Sequence, residues 1–333
     1  MTTVLLVGAG ATGARAARQL ADTSGLTSLL VADREPSRAS ALAGAVGPIA
    51  TTVAIDRPFP GGVDAVAVAV PARAGALIAR RAIDAGVPTA AIADDRDGIA
   101  ALLGLDADAR AKGVLVAVGC GLVPGLGDVL ARHAADSLDR VDEAHVARVG
   151  AGGSACVAAL RRARREPPLE WLDDAWHTPH RRGHELVWFP DPVGARECES
   201  VAPGVELLRD SVPGLRTATI RVGDAPPRNA AMALLRRRSV DNGWGGAHVE
   251  VWGWRGRVRD TVVYGVIERP AVAAGTVLAV IAARLGGLLP TVELRDPTPG
   301  SRALGAIVEP ARFLGELARR GVKAAAFEGV AVA

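Results

Sequence analysis

The run Thr3-Val4-Leu5-Leu6-Val7-Gly8-Ala9-Gly10-Ala11-Thr12-Gly13 passes directly into a helix-forming stretch, Ala14 to Leu20. Residues 3–7 are apolar without alternation, as in a strand of a parallel sheet covered on both faces. Gly8, Gly10 and Gly13 then fit G-x-G-x-x-G between a strand and a helix. The first glycine permits a tight turn, the second lets backbone approach a pyrophosphate, and the third lets helix and strand pack closely. An anion would sit on the helix N-terminus, where N–H groups are free and the dipole is favourable. Gly8, Gly10, Ala11, Thr12 and Gly13 are therefore candidate dinucleotide-binding residues.

Working outward, residues 27–32 read as a second strand ending at Asp33, twenty positions after Gly13. A carboxylate there can accept hydrogen bonds from the adenosine ribose hydroxyls and would repel a 2′-phosphate. Arg34, with Arg38 one turn on, could instead clamp that phosphate. NAD is the expected cofactor and NADP the alternative. A helix over 36–44 precedes a strand at 63–70, closed by Pro71. A helix over 72–85, a strand at 87–93, a helix over 99–111 and a strand at 114–118 follow. Strands alternating with helices imply βαβ units and a parallel sheet. Ligands of such sheets bind at the carboxyl ends of the strands, so Val70, Pro71 and Asp94 join the cofactor candidates. Asp94 and Asp95 could alternatively cap the next helix.

After about residue 135 the pattern changes. Residues 141–149, 216–222, 247–252 and 258–268 alternate apolar and polar side chains, as half-buried antiparallel strands do. Helices are predicted over 154–165, 228–238 and 271–285, and long loops with short elements over 166–215. A helix at 310–320 and a short strand at 322–327 close the pattern. The fold class is α/β, an N-terminal Rossmann-type parallel sheet with a second α+β domain for substrate and dimerisation. The expected division is a dinucleotide-binding domain over 1–125, the second domain over 126–290, and a C-terminal segment, 291–333, packing back on the first. Val249, Val251, Val262 and Ile267 would give the second sheet an apolar face for a homodimer partner, unless helices 228–238 and 271–285 cover it.

Composition narrows the function classes. The 333 residues carry a net charge of only +3, and Lys112 and Lys323 are the two lysines among 39 basic residues. That is an arginine bias, not the concentrated basic stripe of a nucleic-acid surface; Arg161, Arg162, Arg164 and Arg165 read as a solvated helix face. Cys120, Cys156 and Cys198 have no CxxC spacing, which argues against a disulfide scaffold or a cysteine-based zinc site. No apolar run approaches the ~20 residues of a membrane span, and no signal-like segment precedes the first strand. A cytoplasmic protein without nucleic-acid or membrane partners is expected.

Gly119-Cys120-Gly121-Leu122-Val123-Pro124-Gly125-Leu126-Gly127-Asp128 resembles the saccharopine dehydrogenase-like family, where a strand ends in a small-residue turn and a Pro-Gly pair opens a helix leading into the substrate domain. The stretch from Gly86-Val87-Pro88 to Asp94-Asp95 is similar too, as is Trp188-Phe189-Pro190-Asp191-Pro192-Val193-Gly194. The likeness covers residues 1–135 best. It implies two domains with catalysis in the cleft between them, and NAD(P)-dependent making or breaking of a secondary amine on an amino-acid-like substrate.

Hydride transfer needs orientation and a proton relay; the cofactor carries the hard chemistry. The lysines stand at helix ends, where charged side chains meet water. Tyr264, the single tyrosine, lies in an alternating strand and reads as a sheet residue. Cys120, between two glycines near a helix N-terminus that would favour a thiolate, and His180, in a loop rich in His, Arg and Trp, are the catalytic candidates. Cys120 could equally be a small packed residue. Gly121, Pro124, His177, Arg181, Trp188, Asn242 and Trp244 are substrate-binding candidates, with Arg181, Arg182 or Arg196 suited to a carboxylate. His177, His180 and His184 share one spacing, but Pro179 and Gly183 break a helix there, so no metal is expected. The reading is an NAD(P)-dependent oxidoreductase acting on an imine or secondary amine. A carbonyl or alcohol dehydrogenase, or a non-catalytic dinucleotide-binding protein, are the alternatives.

Overall fold

The computed structural model describes residues 1–55, 59–223 and 243–327. Its first sheet holds β1 (Thr2–Val7), β2 (Leu26–Ala32), β3 (Ala50–Thr52), β4 (Ala65–Val68), β5 (Thr89–Ala91), β6 (Leu115–Val118) and β15 (Gly300–Ala303). They run in the order β15-β6-β5-β4-β1-β2-β3, every pair parallel. Every residue of β4, β5 and β6 is buried, which is why these strands read as continuous apolar runs. The helices between them are α1 (Ala11–Ala21), α2 (Pro36–Val46), α3 (Ala72–Asp84), α4 (Arg96–Leu103) and α5 (Asp106–Ala111).

The single helix predicted over 99–111 is two. Asp95 caps the first by accepting the Gly98 amide proton at 2.8 Å, so it starts earlier. It ends at Gly104, and buried Leu105 turns the chain into the second.

The second sheet follows the order β10-β11-β12-β7-β13-β14-β16. Its strands are β7 (Arg140–Val149), β10 (His184–Phe189), β11 (Gly194–Val201), β12 (Thr217–Gly223), β13 (Gly245–Arg255), β14 (Val258–Glu268) and β16 (Ala324–Phe327). β12 and β7 are parallel and the other neighbours antiparallel. One face packs beneath α6 (Leu126–Ala135), with Ala144, Val146, Val249 and Val251 fully buried. Gly127 permits this approach, since a Cβ there would come within 2.9 Å of Val146 Cγ1. Val249 and Val251 thus meet the chain's own helix, not a partner subunit, which corrects the sequence argument for a dimer face. The opposite face carries His145, Thr219, Arg221, His248, Glu250 and Trp252. The helix expected over 228–238 lies outside the described residues.

The stretch 166–215, expected as long loops with short elements, holds more regular structure than that. This region forms β8 (Glu170–Leu172), β9 (Ala175–His177), β10, β11 and α8 (Val205–Ser211). Its short strands have little apolar alternation and are held by aromatic contacts. Trp171 meets Trp176 edge to face at 5.1 Å between centroids. The Arg209 guanidinium lies about 5 Å from both rings. The Trp171 indole donates to the Leu215 carbonyl at 3.0 Å.

Past residue 270 the chain returns to the first sheet. Helix α9 (Pro270–Leu285) packs on α1, β4 and β5. The α1–α9 contact is so close that a Cβ on Gly275 would stand 2.6 Å from Arg15 Cβ. β15 then extends the parallel sheet beside β6. Helices α10 (Leu304–Ile307) and α11 (Pro310–Arg319) pack on α6, and β16 pairs with β14 in the second sheet. Among the described residues no helix is long and apolar enough to cross a membrane.

Candidate functional site

The glycine turn has the geometry its sequence implies. Gly8 has φ +108°, and a Cβ there would fall 2.5 Å from the Ala69 carbonyl oxygen. A Cβ on Gly13 would fall 1.8 Å from the Gly8 carbonyl oxygen. Gly10 differs, because a Cβ built on it meets nothing within 4 Å. The space beside it is open, and α1 begins there with no side-chain cap and no acidic residue in its first turn. An uncapped helix N-terminus facing open space fits a dinucleotide's pyrophosphate.

Asp33 stands beside this turn. One carboxylate oxygen accepts the Ala9 amide proton at 2.7 Å and the other accepts that of Glu35 at 2.9 Å. Each oxygen keeps a lone pair for a ribose hydroxyl. Arg34 is exposed, while Arg38 is paired with Glu35 at 2.5 Å. The Arg34–Arg38 clamp for a 2′-phosphate is thus half engaged elsewhere. Val70 abuts the turn, its Cγ1 2.9 Å from a Cβ built on Gly8, and Pro71 opens α3.

From the glycine turn a cleft runs along the carboxyl ends of β5 and β6. It encloses a cavity of about 40 Å³, and Thr12, Asp94, Gly121, Pro124, Arg148 and Cys156 are among its lining residues. The turn 119–125 is shaped by glycine. A Cβ on Gly125 (φ +129°) would come 2.2 Å from the Gly119 carbonyl oxygen. A second glycine loop, Gly150-Ala151-Gly152-Gly153, closes the other side ahead of α7 (Ser154–Ala163). It touches the glycine turn, with the Thr12 hydroxyl donating to the Gly152 carbonyl at 3.4 Å.

Asp94 is half-buried in this cleft. Burial raises its carboxyl above the ordinary carboxylate range, although the Arg148 charge opposes the shift; Asp95 adds to it. Asp95 itself is the helix cap, and it pairs with Arg162 of α7 at 3.2 Å. Arg148, at the end of β7, is 5% exposed. It donates to the Val123 carbonyl at 2.9 Å, the Gly150 carbonyl at 3.2 Å and Cys156 Sγ at 3.2 Å. Its Nε is buried without a hydrogen-bond partner among the described residues.

Asp94, Gly121 and Pro124 are therefore brought together near Thr12 of the glycine turn. The other predicted substrate and catalytic residues are not with them. Cys120 is fully buried, its Sγ 3.3 Å from the Ala117 carbonyl, and burial pushes its thiol up to about 12. The expected thiolate is corrected: the side chain packs in the core, and desolvation outweighs the helix end. His177, His180 and Arg181 are exposed around β9 and the segment leading to β10, outside the cleft lining. Arg182 is tied to the Ser200 and Ala163 carbonyls. Trp188 is exposed beside a separate cavity of about 150 Å³ on the polar face of the second sheet, lined also by His145, Arg221, His248 and Glu250. Trp244 is exposed, and Asn242 lies outside the described residues. Among the described residues no group of three or more His, Cys, Asp or Glu side chains is placed to hold a metal ion.

Sequence reasoning missed Arg148 and Cys156. A signal for Arg148 was present. Ala144, Val146 and Arg148 share the inward phase of one strand, and a charge in that phase is rarely buried without purpose. Cys156 carried no comparable mark.

No protein-family model matches the chain, and no curated protein matches it. Solved structures share its architecture. Apo histidine-tagged saccharopine dehydrogenase (L-Glu forming) from Saccharomyces cerevisiae superposes with a TM-score of 0.70 at 14% identity, over 98% of this chain and 100% of that one. Amine dehydrogenase from Mycobacterium smegmatis gives 0.54 at 10% identity, over 92% and 96%. DAP dehydrogenase from C. glutamicum in complex with DAP gives 0.51 at 14% identity, over 96% and 98%. At these identities the likeness is one of fold: a Rossmann-type parallel sheet joined to a second, mixed α+β sheet.

Proposed function

We propose that the chain is an NAD-dependent oxidoreductase that reduces an imine, or oxidises a secondary amine, of an amino-acid-like substrate. One observation carries the reading. Open space over Gly10 at the uncapped start of α1 leads into a cleft lined by Asp94 and Arg148. The glycine turn and Asp33 would hold the dinucleotide, with Asp33 and the Arg38–Glu35 pair favouring NAD over NADP. A bound nicotinamide would supply or accept the hydride. The chain's own contribution is orientation and a proton. Asp94, its carboxyl raised by burial, is suited to hold a proton for the substrate nitrogen and to take it back in the reverse direction. The names of the structural neighbours, saccharopine dehydrogenase and amine dehydrogenase, accord with this bond type.

A screen of NAD(P)H consumption tests the proposal, pairing amines with keto acids or aldehydes alongside simple ketones. Turnover of amine–carbonyl pairs is expected. Turnover of ketones alone would move the assignment to a carbonyl dehydrogenase. Absence of NADH binding would remove the oxidoreductase reading altogether. We further propose that the protein is a homodimer joined through the outer side of β10, where Leu186 and Trp188 are exposed while Val187 and Phe189 of the same strand turn inward.

A further inference from the structure

We infer that Arg148 is the recognition point for a carboxylate group of the substrate, an assignment that rests on the oxidoreductase reading above. The argument starts from charge. A guanidinium keeps its charge at any pH a protein meets. Removing it from water is costly unless a counter-charge and hydrogen bonds compensate. Arg148 is 95% buried, from its 5% exposure, yet among the described residues it forms no ion pair. Its bonded partners are two carbonyl oxygens and the Cys156 sulfur, none of them a carboxylate. Three of its five N–H bonds are so engaged, and Nε–H has no partner.

The nearby carboxyl does not resolve this. Asp94 feels the Arg148 charge, but burial and Asp95 work against its ionisation. Arg148 is thus a buried cation with no ion-pair partner among the described residues, lining a cleft with Asp94 and Thr12. A planar carboxylate matches guanidinium geometry. The two residues then divide the work, Arg148 fixing the carboxylate and Asp94 serving the adjacent nitrogen. This fits a 2-amino or 2-keto acid, in which those groups are separated by one carbon. Arg181, Arg182 and Arg196 line no part of the cleft.

Cys156 reports on this site. Its Sγ lies 3.2 Å from Arg148 Nη2, and it is partly exposed, whereas Cys120 and Cys198 are buried. Iodoacetamide labelling of Cys156 in the full chain, with and without saturating NADH, is followed by peptide mass spectrometry. Oxalate and pyruvate should slow labelling saturably, and pyruvamide should not. Arg148→Met should raise the half-protecting concentration at least about tenfold, the loss expected when a charge-assisted hydrogen bond goes. Arg148→Lys, which keeps the charge should the Met variant fold poorly, should retain partial protection. Equal protection by pyruvamide or by inorganic sulfate, full protection in either variant, or no protection by any carboxylate would overturn the assignment. NADH fluorescence in the same samples reports on the cofactor reading separately. Carboxylates failing while NADH binds defeats this inference alone.

Discussion

The Asp33 carboxylate accepts the Ala9 amide proton at 2.7 Å, so the end of β2 holds the glycine turn in place. The residue expected to meet the ribose also shapes the loop for the pyrophosphate. NADH should therefore bind about tenfold or more tightly than NADPH, because a 2′-phosphate would meet Asp33 and find Arg38 already paired with Glu35. Dissociation constants from fluorescence titration decide it. The reverse order would mean that Arg34 and Arg38 dominate.

Gly10→Val should weaken NADH binding at least about tenfold while leaving the fold intact. Gly10 has φ −77° and ψ −170°, extended backbone that any residue adopts, and a Cβ there meets nothing within 4 Å. The valine branches would occupy the pyrophosphate's space instead. Unchanged affinity, with an unchanged denaturation midpoint, would place the cofactor elsewhere.

Asp94→Asn should lower kcat about 100- to 10,000-fold, the usual loss for a general acid. In the reductive direction the wild-type rate should fall as pH rises through the raised pKa of Asp94, because the proton donor is then spent. The variant's residual rate should lack that limb. A variant that keeps the wild-type pH profile would show another group moving the proton.

Asp128 gives a pH dependence of stability. It is 1% exposed, one oxygen accepts the Gly125 amide proton at 2.9 Å, the other has no hydrogen-bond partner among the described residues, and burial pushes the carboxyl up to about 7. The folded chain thus binds this proton more tightly than the unfolded chain, whose carboxyl titrates near 3.8. Stability from this group is complete below about 4 and falls as pH rises toward 7, at up to about 1.4 kcal/mol per pH unit. Denaturant midpoints across this range should slope less in Asp128→Asn. An identical slope would mean that Asp128 is not the group titrating.

Light scattering at micromolar concentration should give twice the chain mass. Trp188→Glu, on the exposed outer side of β10 and away from the cleft, should halve it without altering NADH binding. A monomeric wild type would end the homodimer proposal.

The glycine turn and the parallel sheet were legible because their chemistry is local. Gly8 and Gly13 are demanded by contacts within a few residues, and Asp33 follows at a spacing set by one βαβ unit. The remainder of the site is assembled over distance. Arg148 becomes meaningful only when β7 carries it to Val123 and Cys156. Cys120 looked reactive because adjacent glycines and a helix start say nothing about burial. The stretch 166–215 read as loop because Trp171, Trp176 and Arg209 stabilise it through contacts that periodicity does not register.

The late return of α9 and β15 to the first sheet bears on how the protein is made. When residues 1–125 have left the ribosome, every strand of the parallel sheet but one exists, yet α1 lacks the helix it packs against and β6 lacks its outer neighbour. Those partners arrive some 150 residues later, after every strand of the second sheet but β16 has been synthesised. The nascent chain must therefore carry an apolar, unfinished surface through nearly half of its synthesis, where helper proteins that shield emerging polypeptides would find their substrate. A fragment cut at residue 125 reproduces that unfinished state permanently, so it should be recovered aggregated or chaperone-bound rather than as a free cofactor-binding module.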